Sequence, residues 1–256
     1  MRRLALILFC LEATTALAHP STGIVIAANG DVFYSDLAQV LRVTPRGQRS
    51  VAVPNVHAHE LVLEDGAVVG EDVAWLGGDR YRHRVFKRTP DGRVTNVVPW
   101  TNGFFLTEGL RRDAAGARYW IDCTPARRCT IRKRDRAGRV SNLVSSGPMN
   151  WMLVAPAGEV YYIDGVELRR VRAGRVERVA RIGEMLMGMT FDRAGNVYVA
   201  AFKDRAVVRV SPSGATRVVA RSAAPWGPTG VAIAPNGDLW ILEWAETRAR
   251  VRRATP

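Results

Sequence analysis

The stretch that decides the fold is Gly188-Met189-Thr190-Phe191-Asp192-Arg193-Ala194-Gly195-Asn196-Val197-Tyr198-Val199-Ala200. It is a short apolar phrase, a polar turn closed by glycine, and a run of β-branched and aromatic residues. Short apolar runs bounded by turn residues are strands joined in a hairpin. Toward the N-terminus the phrase recurs as Met152-Leu153-Val154 to Gly158, Leu110 to Gly116, Leu61-Val62-Leu63 to Gly66, and Ile24-Val25-Ile26 to Gly30. Toward the C-terminus it recurs as Val231-Ala232-Ile233 to Gly237 before Leu239-Trp240-Ile241. The six glycines are 36, 50, 42, 37 and 42 residues apart. Periods of about 40 residues with four short strands each predict an all-β, six-bladed β-propeller.

A second glycine turn follows in each copy but the last: Gly47, Gly92, Gly138, Gly174 and Gly214. Its flanks alternate apolar residues with Arg or Thr, as in Val207-Val208-Arg209-Val210, which is the pattern of a half-exposed hairpin. Each copy therefore supplies four strands, a to d. The last copy reaches Ala254-Thr255-Pro256 where its second turn would begin, so its blade is expected to have three strands. No helix-period segment of useful length follows residue 18.

The chain of 256 residues has 37 Lys+Arg against 24 Asp+Glu, a net charge of +13. Only Lys87, Lys133 and Lys203 are lysines, so 37 − 3 = 34 of these cations are arginines, and they recur along every segment. A nucleic-acid surface would gather them into one stripe, so no nucleic-acid partner is expected. Residues 1–18 have the form of a signal peptide: Arg2 and Arg3, an apolar run from Leu4 to Leu11, then Ala16-Leu17-Ala18. The run is shorter than the ~20 residues of a membrane span, and Phe9 before Cys10 does not suit lipidation. The expected product is a secreted or periplasmic propeller over residues 19–256, monomeric and without stable membrane insertion after cleavage. In an oxidising compartment Cys123 and Cys129 are expected to form a disulfide, the alternative being two unconnected thiols.

The repeats resemble NHL repeats and SMP-30/gluconolactonase-like propellers from about residue 22 to 256. The likeness is carried best by the quoted stretch and by Pro228-Thr229-Gly230-Val231-Ala232 through Asn236-Gly237-Asp238-Leu239-Trp240. Propellers host lactonases, lyases and binding modules alike, so the likeness bears on fold and leaves activity to the site. In the resembling lactonases a glutamate, an asparagine and an aspartate opening separate repeats hold a cation. Asn150 falls on the asparagine position, whereas Met187 stands at the aspartate position and Thr22-Gly23 at the glutamate position. Methionine and glycine side chains cannot hold a hard cation or act as a base. The resembling lyases use His and Glu on the same face, which His59 and Glu108 would match.

Chain direction places all eleven glycine turns on one face. The b-to-c loops and the d-to-a connections share the other face and vary in length and chemistry, which marks it as the binding face. Blade two separates its glycines by 26 residues against 17 and 16 in blades one and four, and the surplus is expected in a loop from Glu71 to Arg84 containing Trp75, Asp79, Tyr81 and His83. Eight residues before each first glycine, the mouth of the central channel is expected to present Thr22, Ala58, Glu108, Asn150, Met187 and Thr229. The next position is glycine in four of six copies, as suits a backbone crowding the axis.

His57, His59, Glu60, Glu108 and Asn150, with Trp151 and Trp226, are the candidate ligand contacts. Glu60, Glu108 and Asn150 are candidate ligands for a divalent cation, calcium or zinc. His59 and Glu108 are the candidates for any catalytic role. These residues predict an exported propeller that binds a small-molecule or polymeric ligand at the channel mouth. The alternative is a divalent-metal-dependent hydrolase or lyase with a rearranged site.

Overall fold

The structure, a computed structural model, describes residues 20–78, 80–103, 110–124 and 126–255, apart from the side chain of Asn150. The export signal expected at residues 1–18, Asp79 and Glu108 lie outside the described residues. Six antiparallel sheets follow one another along the chain. Blade one comprises β1 (Ile24–Ile26), β2 (Val32–Ser35), β3 (Gln39–Val43) and β4 (Arg49–Pro54). Blade two comprises β5 (Leu61–Glu64), β6 (Ala67–Trp75), β7 (Tyr81–Arg88) and β8 (Val94–Asn102). Blade three comprises β9 (Arg111–Arg112), β10 (Arg118–Cys123), β11 (Cys129–Arg134) and β12 (Val140–Ser146). Blade four comprises β13 (Met149–Val154), β14 (Val160–Asp164), β15 (Glu167–Arg172) and β16 (Arg175–Arg181). Blade five comprises β17 (Leu186–Phe191), β18 (Val197–Ala201), β19 (Ala206–Val210) and β20 (Thr216–Arg221). Blade six has three strands, β21 (Gly227–Ile233), β22 (Leu239–Ala245) and β23 (Arg248–Ala254). The described residues form no helix. The six-bladed all-β propeller with a three-stranded last blade is thus observed.

The second strand of a blade lies between two neighbouring blades, which explains why its sequence is apolar without a break. All five residues of β18 are buried. Their period of two divides them: Val197, Val199 and Ala201 pack with blade four, while Tyr198 and Ala200 pack with blade six. Similar clusters fill the junctions of blades six and one, one and two, and three and four. At about 25 cal/mol per Å² of apolar area removed from water, these clusters are the main stabilising term.

The turns follow from glycine. Gly195 closes the quoted stretch by donating its N–H to Asp192 at 3.1 Å, with a φ of +80° that side-chain-bearing residues rarely adopt. At the axis the requirement is space: a Cβ on Gly230 would lie 2.5 Å from the Thr22 carbonyl oxygen, and one on Gly188 would lie 2.8 Å from that of Thr229.

One expectation is corrected. The surplus of blade two is not a loop from Glu71 to Arg84 but a lengthened hairpin, with β6 and β7 paired out to Trp75 and Tyr81. Val73, Trp75 and Tyr81 continue the strand pattern, and Gly77 and Gly78, both at positive φ, supply the turn. Cys123 and Cys129 are direct partners across β10 and β11 and are joined in a disulfide.

Candidate functional site

Between β4 and β5 the chain crosses the loop-rich face through His57-Ala58-His59-Glu60. Its backbone is tied on both sides. On the blade-one side, Thr22 N and the hydroxyls of Ser21 and Thr22 donate to the His59 carbonyl at 3.0, 3.1 and 3.2 Å. On the blade-two side, Glu71 and Asp72 of β6 accept from the segment's amides. His59 N and Glu60 N donate to Glu71 Oε1 at 2.5 and 2.9 Å, and His57 N donates to Asp72 Oδ1 at 2.9 Å. Val73 N returns a bond to the His57 carbonyl at 3.2 Å. So fixed, the two imidazoles stand edge to face with centroids 4.7 Å apart.

Glu71 is 5% exposed. Burial pushes its carboxyl up to about 8, the nearby Glu60 carboxylate adds to the shift, and the backbone N–H groups of Glu60, Glu71 and His59 only partly offset it. At neutral pH the group is therefore mostly a neutral acid. His59 Nδ1 lies 3.6 Å from Glu71 Oε1, which with a protonated carboxyl is a contact and not an ion pair. Glu71 Oε2 is buried with no hydrogen-bond partner among the described residues.

Glu60 turns toward blade three, where its Oε2 accepts from Arg111 Nε of β9 at 3.2 Å. Both side chains line a cavity of about 200 Å³ in the central channel, together with Thr22, Leu153, Met189 and Val231. The mouth position also coincides with register shifts in the inner strands of blades four, five and six, at Met149/Met152, Leu186/Met189 and Pro228/Gly230. Such bulges re-aim side chains and end strand pairing.

The expected contacts separate into groups. His57, His59 and Glu60 come together at the rim. Glu108 and the side chain of Asn150 lie outside the described residues. Trp151 is a packing residue, wedged against the apolar clusters on both sides of blade five. Trp226 lies under the guanidinium groups of Arg250 and Arg248, 4.1 and 5.6 Å from its ring centroid. Met187 is 7% exposed and belongs to the core between blades five and six.

Among the described residues no three His, Cys, Asp or Glu side chains converge as metal ligands, and Glu60 is engaged by Arg111. The described part of the rim does not by itself make a cation site. Sequence analysis missed Glu71, Asp72 and Arg111 as site residues. The signal for the first two was present, since Ala67-Val68-Val69-Gly70-Glu71-Asp72-Val73 sets two acids within an apolar strand, and buried acids need a reason.

No protein-family model matches the chain, and neither does any curated protein. Solved structures share its fold. A gluconolactonase from Xanthomonas campestris is 14% identical with a TM-score of 0.64, covering 93% of this chain and 87% of that one. A putative gluconolactonase is 18% identical with a TM-score of 0.61, covering 93% and 92%. A streptogramin B lyase is 12% identical with a TM-score of 0.59, covering 93% and 96%. The fold is thus that of the gluconolactonase-like six-bladed propellers.

Proposed function

We propose that this is an exported propeller that binds a small or extended polar ligand over the channel mouth. The rim of blade two carries this reading: two histidines held edge to face by backbone ties to buried acids, beside a carboxylate–guanidinium pair that lines the channel. Imidazole, carboxylate and guanidinium together offer donors and acceptors to hydroxyl, carbonyl or carboxylate groups. The Cys123–Cys129 disulfide supports an oxidising compartment. Thermal-shift measurement against sugar acids, sugar lactones and oligosaccharides tests the reading. A binder at 100 times its Kd stabilises by about 2.7 kcal/mol. The shift is expected to vanish in His59→Ala; a shift that survives that change, or no shift with any compound, would overturn the site.

A second reading, a hydrolase or lyase at the same rim, is favoured by one observation: a neutral carboxylic acid, Glu71, lies against the His59 imidazole. Proteins of this fold include gluconolactonases and a streptogramin B lyase. This reading predicts a stoichiometric divalent ion in the purified protein, turnover on a lactone panel that chelation abolishes, and loss of turnover in Glu108→Gln at an unchanged Tm. A protein without the ion and without turnover is the binding module.

A further inference from the structure

At the glycine-turn end of the junction between blades one and two, the apolar filling gives way to two arginines that face each other. Arg42 of β3 is the cross-strand partner of Phe33 and stands two residues beyond Val40, both members of the apolar cluster between these blades. Side chains two apart share a face, so Arg42 points toward blade two. Arg88 of β7 is the partner of Val68 and stands two residues beyond Phe86, members of the same cluster, so it points toward blade one. Between them lies a cavity of about 240 Å³, bounded at the surface by the exposed turn residues Asn29, Gly66 and Pro90.

The two guanidiniums are not equally served. Arg42 Nε donates to Asp31 Oδ2 at 2.8 Å and its Nη2 lies 2.7 Å from the same atom, which also accepts from Asn29 Nδ2 at 2.9 Å. The buried Asp31 carboxylate is thus engaged by Arg42. Arg88 Nη1 donates to the adjacent Thr89 carbonyl at 3.3 Å, its guanidinium carbon stands 5.2 Å from the centroid of Phe33, and its Nε is buried with no hydrogen-bond partner. Among the described residues no carboxylate lies within 4 Å of it. Burial and the charge of Arg42 hold its pKa below the usual arginine range, although Asp31 and the exposed Asp91 act in the other direction.

We propose that this cavity is a binding site for a short-chain monocarboxylate, its carboxylate on Arg88 and its hydrocarbon part against Phe33, Val68 and Pro90. Charge selects a monoanion, because the lining sets two guanidiniums, Arg42 and Arg88, against the single carboxylate of Asp31. A planar guanidinium with N–H groups to spare receives a carboxylate through parallel bonds. Size selects a short chain, since the volume lies below the ~300–1,000 Å³ of drug-sized sites. The cavity opens among the glycine turns, on the face opposite the histidine rim, so the inference does not rest on the ligand proposed for the mouth.

Calorimetric titration with butyrate tests it. The parent is expected to bind one equivalent saturably. Butyramide, the uncharged counterpart, and inorganic phosphate, which cannot use the apolar wall, are expected to bind about tenfold more weakly or worse. Arg88→Gln is expected to weaken butyrate by about tenfold or more. Arg88→Lys keeps the charge without the planar fork and is expected to lose about threefold, which reads the same group should the glutamine variant not fold. His59→Ala, at the mouth, is expected to bind butyrate as the parent does. The proposal is overturned by any of four results: no saturable butyrate binding, butyramide or phosphate binding as tightly as butyrate, parent affinity in a folded Arg88 variant, or loss of butyrate binding in His59→Ala. The mouth keeps its own test, the thermal shift.

Discussion

Glu71 ties the rim together as a neutral acid. Its carboxyl stays protonated in the folded protein up to about 8 but ionises near 4.5 once the chain unfolds. Between those values the folded state holds the extra proton, so stability falls as pH rises, by about 1.4 kcal/mol per unit. Glu71→Gln keeps the carbonyl that accepts from His59 and Glu60 but cannot ionise. It should match the parent near pH 5 and gain on it steadily toward pH 8 in urea unfolding. Parallel pH profiles for the two proteins would show that Glu71 is ionised when folded. Glu71→Ala removes the acceptor altogether and should cost about 1–3 kcal/mol near pH 5, because two amides lose their partner, and, having no group to ionise, should gain on the parent toward pH 8 in parallel with Glu71→Gln.

At the scale of single elements, the last blade shows how an outer strand is held without a fourth partner. Glu243 of β22 is fully buried, and Arg250 and Arg252 of β23 donate to its two oxygens at 2.8 and 2.9 Å. Burial alone would raise its pKa, but hydrogen bonds, those arginines among the donors, outweigh it and leave it below the usual carboxylate range. That stability is present above the ordinary value and is lost as pH falls. Glu243→Ala should cost about 3 kcal/mol in chemical unfolding, at the low end for a broken buried pair because the guanidiniums reach solvent. A change below about 0.5 kcal/mol would mean that β23 is held by its ladder alone. In blade three the disulfide joins strands that are already paired, so reduction should cost about 2 kcal/mol and leave the blade folded. Far-UV circular dichroism with and without reductant checks this.

For the molecule as a whole, apolar clusters fill five of the blade junctions among the described residues, and the second strands of the blades lie inside them. Native-state hydrogen exchange should therefore show the exposed outer strands β8 and β12 exchanging before the buried second strands β18 and β22. Uniform protection of inner and outer strands would contradict that order. Blade number, the three-stranded last blade and the turn glycines follow from the forty-residue repeat, because strand period and positive-φ turns are local properties of sequence. Of the rim, His57, His59 and Glu60 were legible because a repeat carries its start to the axis. Glu71 and Arg111 were not, since the first reaches the rim from the second strand of its blade and the second from the next blade.

The chain's order of residues was thus enough to specify six blades and their turns, since these depend on neighbours a few residues apart. Closing the ring decided the rest. It set Glu60 against Arg111, buried Glu71 beneath the histidines, and turned Trp151 and Met187 into packing. Those outcomes depend on which side chains meet across blades and on how much water the meeting excludes, and neither quantity exists until the disc is assembled.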